Sequence, residues 1–405
     1  MTEPELSTEV VIVGGGPAGM VLGLLLASQN IPTLVLERHK DFEREYRGEV
    51  LMPRFVQMMR QIGLFDFLEK YPHLKLNGFE FFVRRRHVTT IRVDQISREA
   101  PYILWMPQPV LLGALWDRAK NYPSFKILFN AHASSLIKNG ETVTGIHATV
   151  NGENVAIRAK IVIGADGRAS VIRHEGAFEL AYEDHAFDVL WFTIPKPEGY
   201  ENTVRAFMSE KHNYLVLPKY PAHLQCGILL GTGEYAWYRR KGVEILRKEI
   251  KEAHPIFGEF SEQLKDFGAF TLLVAKADRV KRWARPGLLL VGDAAHTCSL
   301  AGAIGVSVTV GTAIVAADVI LGCFECNDFS QNALDRVQAL REKEVEDIQK
   351  IQKRVAGIVA ARSVLAKSAA LALMFLFART PVFKGLQQRL MVMKQPLPRT
   401  HAFHV

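Results

Sequence analysis

Three glycines near the start of the chain have the spacing of a phosphate-binding turn. Gly14, Gly16 and Gly19 form a G-x-G-x-x-G pattern between the apolar run VVIV and an apolar segment of helical length. The first glycine allows a sharp turn, the second lets the backbone approach a pyrophosphate, and the third lets helix and strand pack closely. The N-terminus of the following helix offers free N–H groups and a partial positive charge. The pattern therefore predicts a dinucleotide site.

A carboxylate follows at the end of the second apolar run. Glu37 comes directly after TLVL, eighteen residues beyond Gly19. At this point a carboxylate can accept hydrogen bonds from both hydroxyls of an adenosine ribose. It would also repel a 2′-phosphate, so the sequence favours a dinucleotide with a free 2′-hydroxyl.

Two aspartates come after other apolar runs that are typical of buried strands. Asp166 lies in ADGRASVIR and Asp293 in VGDAAH. Open α/β sheets bind ligands at the carboxyl ends of their parallel strands, where an aspartate can hold ribityl or ribose hydroxyls. Taken alone, either aspartate is better explained as an ordinary turn residue.

The three motifs, in this order and spacing, resemble the group A flavin monooxygenases of the para-hydroxybenzoate hydroxylase type. The resemblance covers about residues 9–325. It implies an α/β fold with a Rossmann-type, glutathione reductase-like FAD-binding domain, an inserted β-sheet substrate domain and C-terminal helices. It also implies FAD as cofactor and NAD(P)H as co-substrate, and no metal.

The resemblance assigns individual residues. The implied FAD contacts are Gly14, Gly16, Gly19, Glu37, Arg38, Arg47, Gln108, Asp166, Gly292, Asp293, Gly305 and Val306. Asp166 and Arg168 are the implied contacts of NAD(P)H. Because the chain has a single G-x-G-x-x-G, the nicotinamide is expected to dock transiently on the surface of the FAD domain.

The oxygen chemistry implied by the resemblance belongs to the flavin, through a C4a-hydroperoxide that transfers oxygen to the substrate. No side chain is therefore assigned as the catalytic group. Arg47, His296 and Tyr214 remain as candidates, although an isolated histidine after a strand is more often structural.

The segment after Asp293 departs from the family pattern GDAAHxxxPxxGQGxN. Leu300 replaces the proline, Ala303 and Ile304 replace Gly-Gln, and Ser307 replaces the asparagine. The remaining small residues still let a helix N-terminus approach the flavin, where its dipole would favour the anionic reduced form. We expect FAD binding to survive these changes and the position of the flavin ring to respond to them.

The pattern of runs and turns predicts three regions. Residues 1–76, 100–178 and 272–325 form the FAD domain, 77–99 and 179–271 the substrate domain, and 326–405 a helical C-terminal region. Asn-Gly pairs at 139–140 and 151–152 predict hairpins. The aromatic residues of the inserted domain favour an aromatic or polycyclic apolar substrate, to be hydroxylated or epoxidised with O2; they are Trp191, Phe192, Phe207 and Tyr214.

The composition argues against a secreted protein and against a nucleic-acid-binding protein. The chain of 405 residues is 48% hydrophobic and 23% charged, as in ordinary soluble proteins. It begins without the apolar core of a secretory signal, and its four cysteines suit a reducing cytoplasm. Nine of the 50 Lys and Arg residues, and none of the 42 acidic ones, lie in 351–405, without a nucleic-acid-binding motif.

The apolar run 369–378 lies inside this basic segment and has two interpretations. It is too short to span a bilayer, so a helix packed on the FAD domain is favoured. The alternative is peripheral contact with the inner face of an anionic membrane. The sequence leaves the oligomeric state open.

Two other functions stay open at this point. One is a flavin-dependent reductase of isoprenoid double bonds, similar to the geranylgeranyl reductases, which would consume no O2. The other is a non-catalytic protein that binds flavin or a partner. A halogenase is set aside, because its W-x-W-x-I-P signature would need Trp where the chain has Leu190 and Phe192.

Overall fold

The computed structural model describes residues 4–43, 49–83, 86–185, 187–209, 211–359, 385, 388 and 390–405. Arg47 and the apolar run 369–378 lie outside these residues, so the predictions made for them stay predictions. Within the described residues, runs of strands and helices follow one another along the chain. The strands are β1 Glu5–Ser7, β2 Val10–Val13, β3 Thr33–Leu36, β4 Val50–Leu51, β5 Leu74–Leu76, β6 Gly78–Val83, β7 Arg86–Arg92, β8 Ile103–Trp105, β9 Phe125–Leu128, β10 Ala131–Asn139, β11 Thr142–Val150, β12 Glu153–Arg158, β13 Ile161–Gly164, β14 Leu180–Asp184, β15 Asp188–Pro195, β16 Val204–Met208, β17 Asn213–Lys219, β18 His223–Leu230, β19 Thr271–Val274, β20 Ala277–Val280, β21 Ala284–Arg285, β22 Leu288–Leu290 and β23 His296–Thr297. The helices are α1 Pro17–Ser28, α2 Pro53–Gln61, α3 Phe65–Leu68, α4 Gln108–Ala119, α5 Val171–Glu175, α6 Glu234–Lys241, α7 Val243–Ala253, α8 Gly258–Gln263, α9 Gly305–Cys326 and α10 Gln331–Val359.

A six-stranded sheet carries the three sequence motifs. Its order is β21-β22-β13-β2-β3-β9, and every neighbouring pair is parallel except β21 with β22. Strands β2, β3, β13 and β22 are buried along their whole length, which explains why they consist almost entirely of Val, Ile and Leu. The predicted α/β fold is confirmed.

Helix α9 passes through the interior against α1 and α10. Its length and apolar composition would suit a membrane span, but 89% of its most apolar window is buried inside the protein. These contacts identify it as a core helix of the described part of the chain.

A seven-stranded sheet with the order β19-β15-β18-β17-β16-β6-β7 lies beside the six-stranded one. Side chains alternate between its two faces. Leu190, Phe192 and Ile194 pack with α6, α7 and α8, whereas Val189 and Trp191 pack with the core of the six-stranded sheet. Because β19 pairs with β15, this sheet extends to residue 274, three residues beyond the predicted domain boundary.

The two predicted hairpins are confirmed. Strands β10 and β11 pair antiparallel, as do β11 and β12. The second turn has Asn151 at φ 51° and Gly152 at φ 90°, the left-handed pair that an Asn-Gly turn adopts readily. In the first turn Asn139 still pairs with Thr142, so the turn lies one residue later than predicted.

The C-terminal segment 390–405 lies against α2 and α9 and is held by their side chains. Asp318 Oδ1 accepts the backbone N–H groups of Thr400 (2.8 Å) and His401 (2.7 Å). The Val405 N–H donates to the Ile62 carbonyl at 3.2 Å. This arrangement anchors the end of the chain against the core helix.

The imidazole of His401 makes this anchor sensitive to pH. Burial by itself lowers the pKa of His401, but its contacts with Asp318 (2.7 Å) and Glu325 (3.2 Å) raise it above 6.5. The stabilisation is therefore complete below pH 6.5 and is lost as the pH rises through the raised value. Relative to His401→Gln, we expect the wild type to lose up to about 1 kcal/mol of unfolding free energy on the alkaline side. Urea denaturation of both proteins across this range measures it, and a constant difference would contradict the assignment.

Candidate functional site

The glycine turn between β2 and α1 packs directly on the residue that follows β13. Gly14 has φ +111°, and a Cβ there would lie 2.4 Å from the Ala165 carbonyl oxygen. A Cβ on Gly19 would lie 1.9 Å from the Gly14 carbonyl oxygen. The Ala165 N–H in turn donates to the Val13 carbonyl at 2.8 Å. Side chains are therefore excluded from this turn by backbone on both sides.

Helix α1 begins at the partly exposed end of this turn. Gly16 is its extended N-cap residue, with φ −78° and ψ −177°, and Pro17 takes the first helical position. Proline is suited to that position because its missing N–H would have no intrahelical acceptor. The first helical bond runs from the Met20 N–H to the Gly16 carbonyl at 2.9 Å. The positive end of the helix dipole thus opens at the edge of the sheet.

Glu37 lies buried beside the glycine turn, at the end of β3. Its Oε2 accepts the Gly15 N–H at 3.0 Å, and its Oε1 accepts the His39 N–H at 3.0 Å. The side chain is only 2% exposed, so it has a fixed orientation. The neighbouring Arg38 is exposed, and Gln108 is buried at the first position of α4.

Asp293 and Arg168 were predicted separately, and the structure brings them into contact. Arg168 Nε donates to Asp293 Oδ2 at 3.3 Å, and its Nη1 donates to the Val274 carbonyl at 2.8 Å. Thr309 Oγ1 donates to Asp293 Oδ1 at 3.2 Å. Arg168 therefore joins the edge of the seven-stranded sheet to the carboxylate after β22.

Thr309 was missed by the sequence reasoning. The available signal was a hydroxyl one turn after Gly305, in a helix of mostly small and apolar residues. Gly292 explains how close that helix lies, since a Cβ there would be 2.9 Å from Thr309 Cγ2 and 3.0 Å from Ala18 Cβ. The starts of α1 and α9 thus meet behind the turn that carries Asp293.

The first turn of α9 lies at the rim of this opening. Gly305 and Val306 are partly exposed, whereas Ser307 is 1% exposed. The Ser307 hydroxyl has no hydrogen-bond partner among the described residues. The turn thus presents backbone and small side chains.

The Asp166 carboxylate makes its hydrogen bonds within the turn that leads into α5. Its carboxylate accepts hydrogen bonds from the Ser170 hydroxyl and from the Ile172 N–H, the latter at 3.1 Å, at the start of α5. Burial raises the pKa of this carboxyl group. These hydrogen bonds hold the carboxylate at the start of α5, and the contacts with FAD and the pyridine nucleotide that the resemblance implies for Asp166 stay a prediction.

His296 does not fit a catalytic role. It is 1% exposed, its Nε2 lies 2.9 Å from Thr312 Oγ1, and its ring packs 4.7 Å from that of Trp283. Burial, together with the charge of Arg341, lowers its pKa to about 3. The imidazole is therefore neutral at physiological pH and enclosed in the core.

Tyr214 does not fit a catalytic role either. It is 2% exposed, its ring packs 5.2 Å from that of Phe257, and its hydroxyl donates to the Glu249 carbonyl at 3.5 Å. Burial raises its pKa above the ordinary value of 10. Tyr214 belongs to the layer between the seven-stranded sheet and its helices.

Most of the aromatic residues from which an aromatic substrate was inferred lie in this same layer, between the seven-stranded sheet and its helices. Phe192 and Phe207 also pack under α6, α7 and α8, and of the four only Trp191 faces the six-stranded sheet. The face toward the six-stranded sheet instead has partly exposed apolar side chains at Phe79, Leu215, Leu229 and Leu273. These are the residues that a substrate between the two sheets would meet.

A family model described as an FAD binding domain matches residues 7–347. The chain belongs to the family of group A flavin monooxygenases. It is 30% identical over 387 residues to the 6-methylpretetramide 4-monooxygenase of Streptomyces rimosus, covering 95% of this chain and 92% of that protein. The flavin monooxygenase is thus an FAD-dependent oxidoreductase.

Two solved structures superimpose on this chain over most of its length. The p-nitrophenol 4-monooxygenase PnpA of Pseudomonas putida superimposes with a TM-score of 0.79 at 16% identity, covering 97% of this chain and 100% of PnpA. PqsL of Pseudomonas aeruginosa, in complex with 2-aminobenzoylacetate, gives a TM-score of 0.77 at 17% identity, covering 90% of this chain and 100% of PqsL. At these identities the likeness concerns the fold.

The residues at the sheet edge fit FAD. The turn at Gly14 and Gly19 has no space for a side chain beside an open helix N-terminus, which is the cradle a pyrophosphate needs. A buried carboxylate, Glu37, and a partly exposed one, Asp293, lie on either side of it. Both can accept hydroxyl hydrogen bonds.

The loop before α9 contains a strained alanine in this monooxygenase. Ala303 has φ +50°, in the left-handed region that glycine adopts freely, and the family pattern has glycine there. We expect Ala303→Gly to raise the unfolding free energy by about 0.5–1 kcal/mol, after allowing for the more flexible unfolded chain. Gly302→Ala, at φ +83°, should lower it instead. Urea denaturation tests both, and a less stable A303G would contradict the strain.

Proposed function

We propose that this monooxygenase uses NAD(P)H and O2 to hydroxylate or epoxidise a polycyclic aromatic small molecule. The observation that carries the proposal is the 30% identity to 6-methylpretetramide 4-monooxygenase over nearly the whole of both chains. That relative is named for a 4-monooxygenation of 6-methylpretetramide. The substrate proposed here is a molecule of similar size and aromatic character.

The apolar surface between the two sheets supports such a substrate. Phe79, Leu215, Leu229 and Leu273 are partly exposed there, and Trp191 lies on the same face. Burying the faces of a flat, fused-ring molecule against these side chains contributes about 25 cal/mol per Å² of apolar area. A charged or small aliphatic substrate would gain little from this surface.

The geometry described above supports the following assignments to FAD. Glu37 would accept the adenosine ribose hydroxyls, the start of α1 would hold the pyrophosphate, and Asp293 would accept a ribityl hydroxyl. Gly305 and Val306 would place the start of α9 at the flavin ring. When bound, FAD supplies the redox and oxygen-activating chemistry, and the protein supplies position and exclusion of water.

Arg168 is the side chain we propose for NAD(P)H. The Arg168 side chain is 36% exposed and lies where the six-stranded and seven-stranded sheets meet. A phosphate of NAD(P)H that lies between the two sheets can therefore reach its guanidinium. The contact would leave the Asp293 carboxylate free for the ribityl chain.

The test is to follow NAD(P)H oxidation and O2 uptake together, on protein loaded with FAD, with a panel of fused-ring phenols and quinones. Compound-stimulated oxidation with 18O from 18O2 in the product establishes the proposed function. NAD(P)H oxidation that yields a reduced product without O2 uptake would move the protein to the reductases. If bound FAD is not reduced anaerobically by NADH or NADPH, the proposed use of a nicotinamide fails.

A further inference from the structure

Two arginines are buried together behind the start of α9. Arg54 of α2 and Arg341 of α10 are each 2% exposed, and both donate to the carboxylate of Glu344. Among the described residues Glu344 is the carboxylate that pairs with either of them.

The cluster therefore carries an excess positive charge. Arginine stays protonated in proteins, so two guanidinium groups and one carboxylate sum to one unit. Burial lowers the pKa of Arg341, whereas the two arginines hold the pKa of Glu344 low against the effect of burial. Nε and Nη1 of Arg54 and Nε of Arg341 have no partner in the described residues.

Such an arrangement is costly for folding. Buried charges lose their hydration, and even a well-paired buried ion pair contributes little net stability. An apolar side chain in place of one arginine would make the folded protein more stable. Within the described residues no second carboxylate balances this charge, so the excess points to a negative group that binds beside the cluster.

The position of the cluster indicates which group that is. Arg341 Nη2 lies 3.0 Å from the place of a Cβ on Gly311, six residues into α9. At 1.5 Å per residue this is about 9 Å along the helix from Gly305, the first residue of α9. Cys298, whose Cβ lies 3.7 Å from the place of a Cβ on Gly305, is close enough to feel the charges of Asp293, Arg54, Arg168 and Glu344.

We propose that Arg54, Arg341 and Glu344 form a positioning cluster that stabilises the negative charge of reduced FAD. The inference rests on the proposed placement of the flavin ring at the start of α9. Two electrons and one proton convert the oxidised ring to a reduced ring with one negative charge, and the reductant is the NAD(P)H of the proposed function. A unit charge about 10 Å away, at an effective dielectric constant of about 20, changes this equilibrium about tenfold.

The experiment changes the cluster charge in both directions and measures the ratio of reduced to oxidised FAD against a reference dye. Glu344→Gln raises the cluster charge by one unit and should raise the ratio about tenfold. Arg341→Gln lowers the charge by one unit and should lower the ratio about tenfold. Arg341→Lys keeps the charge and should restore the wild-type ratio to within about threefold.

Shifts of opposite sign in the ratio of reduced to oxidised FAD distinguish an electrostatic role of the cluster from a structural one. A cluster with only a structural role would lose stability in every variant. Glu80 and Arg205 form a matched partly buried pair in the seven-stranded sheet, with Arg205 Nε 2.7 Å from Glu80 Oε2. Glu80→Gln and Arg205→Gln should leave the ratio unchanged.

Equal ratios in E344Q and R341Q, or shifts of the same sign, overturn the inference while leaving the FAD site intact. If R341Q does not fold, Arg54→Gln removes the same charge and E344Q must still raise the ratio. A wild-type protein that binds no FAD would overturn the FAD placement and this inference with it.

Discussion

Alanine at position 19 should prevent stable FAD binding. Its Cβ would lie 1.9 Å from the Gly14 carbonyl oxygen and 3.2 Å from Ile12 Cγ2, and the first of these contacts is with backbone. The β2–α1 turn would have to shift, at a cost of about 3 kcal/mol in unfolding free energy. The displaced helix N-terminus should lower FAD affinity at least about a hundredfold. The ratio of flavin to protein absorbance after purification, and an FAD titration, measure this.

Gly113 supplies the matched control. It lies inside α4, and nothing lies within 4 Å of the place of its Cβ. Gly113→Ala should therefore bind FAD normally and gain about 0.5–1 kcal/mol from its better helix propensity. A G19A protein that retains FAD as well as G113A would show that the turn can open without loss of the site.

Removing the carboxylate of Asp293 should have the second largest effect. Asp293→Ala takes away the proposed ribityl partner and leaves Arg168 without its 3.3 Å contact and Thr309 without its 3.2 Å acceptor. Hydrogen bonds to charged groups contribute about 1.5–3 kcal/mol, so we expect FAD affinity to fall about 10- to 100-fold. Quenching of FAD fluorescence on titration measures the affinity.

Two variants separate the carboxylate from its surroundings. Asp293→Asn keeps an acceptor and should lose less than tenfold, and Thr309→Val should lose less still, because the carboxylate remains paired with Arg168. An Asp293→Ala protein with wild-type FAD affinity would remove Asp293 from the site.

The residues that form the dinucleotide turn could be predicted from the sequence. An unbroken apolar strand, glycines at fixed spacing and a carboxylate after the next strand each have their own physical cause, and the structure places Gly14, Gly19 and Glu37 around one opening. That Arg168 and Asp293 touch was not readable, because 125 residues separate them along the chain. Their contact depends on β13 and β22 being neighbours.

The errors have a common origin. Alternation along a strand separates its two faces but does not say which face a later helix will cover. Phe192, Phe207 and Tyr214 were therefore taken as pocket residues, whereas α6, α7 and α8 cover them. His296 was already expected to be structural rather than catalytic, and α9 and Trp283 enclose it.

By itself the sequence determined the α/β fold, the dinucleotide turn and the flavin monooxygenase family, because these depend on short motifs, each made of neighbouring residues, and on the order of the motifs along the chain. Tertiary structure alone decided the facing of the seven-stranded sheet, the Thr309 contact and the burial of Arg54 and Arg341 around Glu344. Arg54 and Glu344 stand 290 residues apart, on helices whose surfaces are otherwise ordinary. Which charges share one buried space is set by how the helices pack, and no local pattern encodes that.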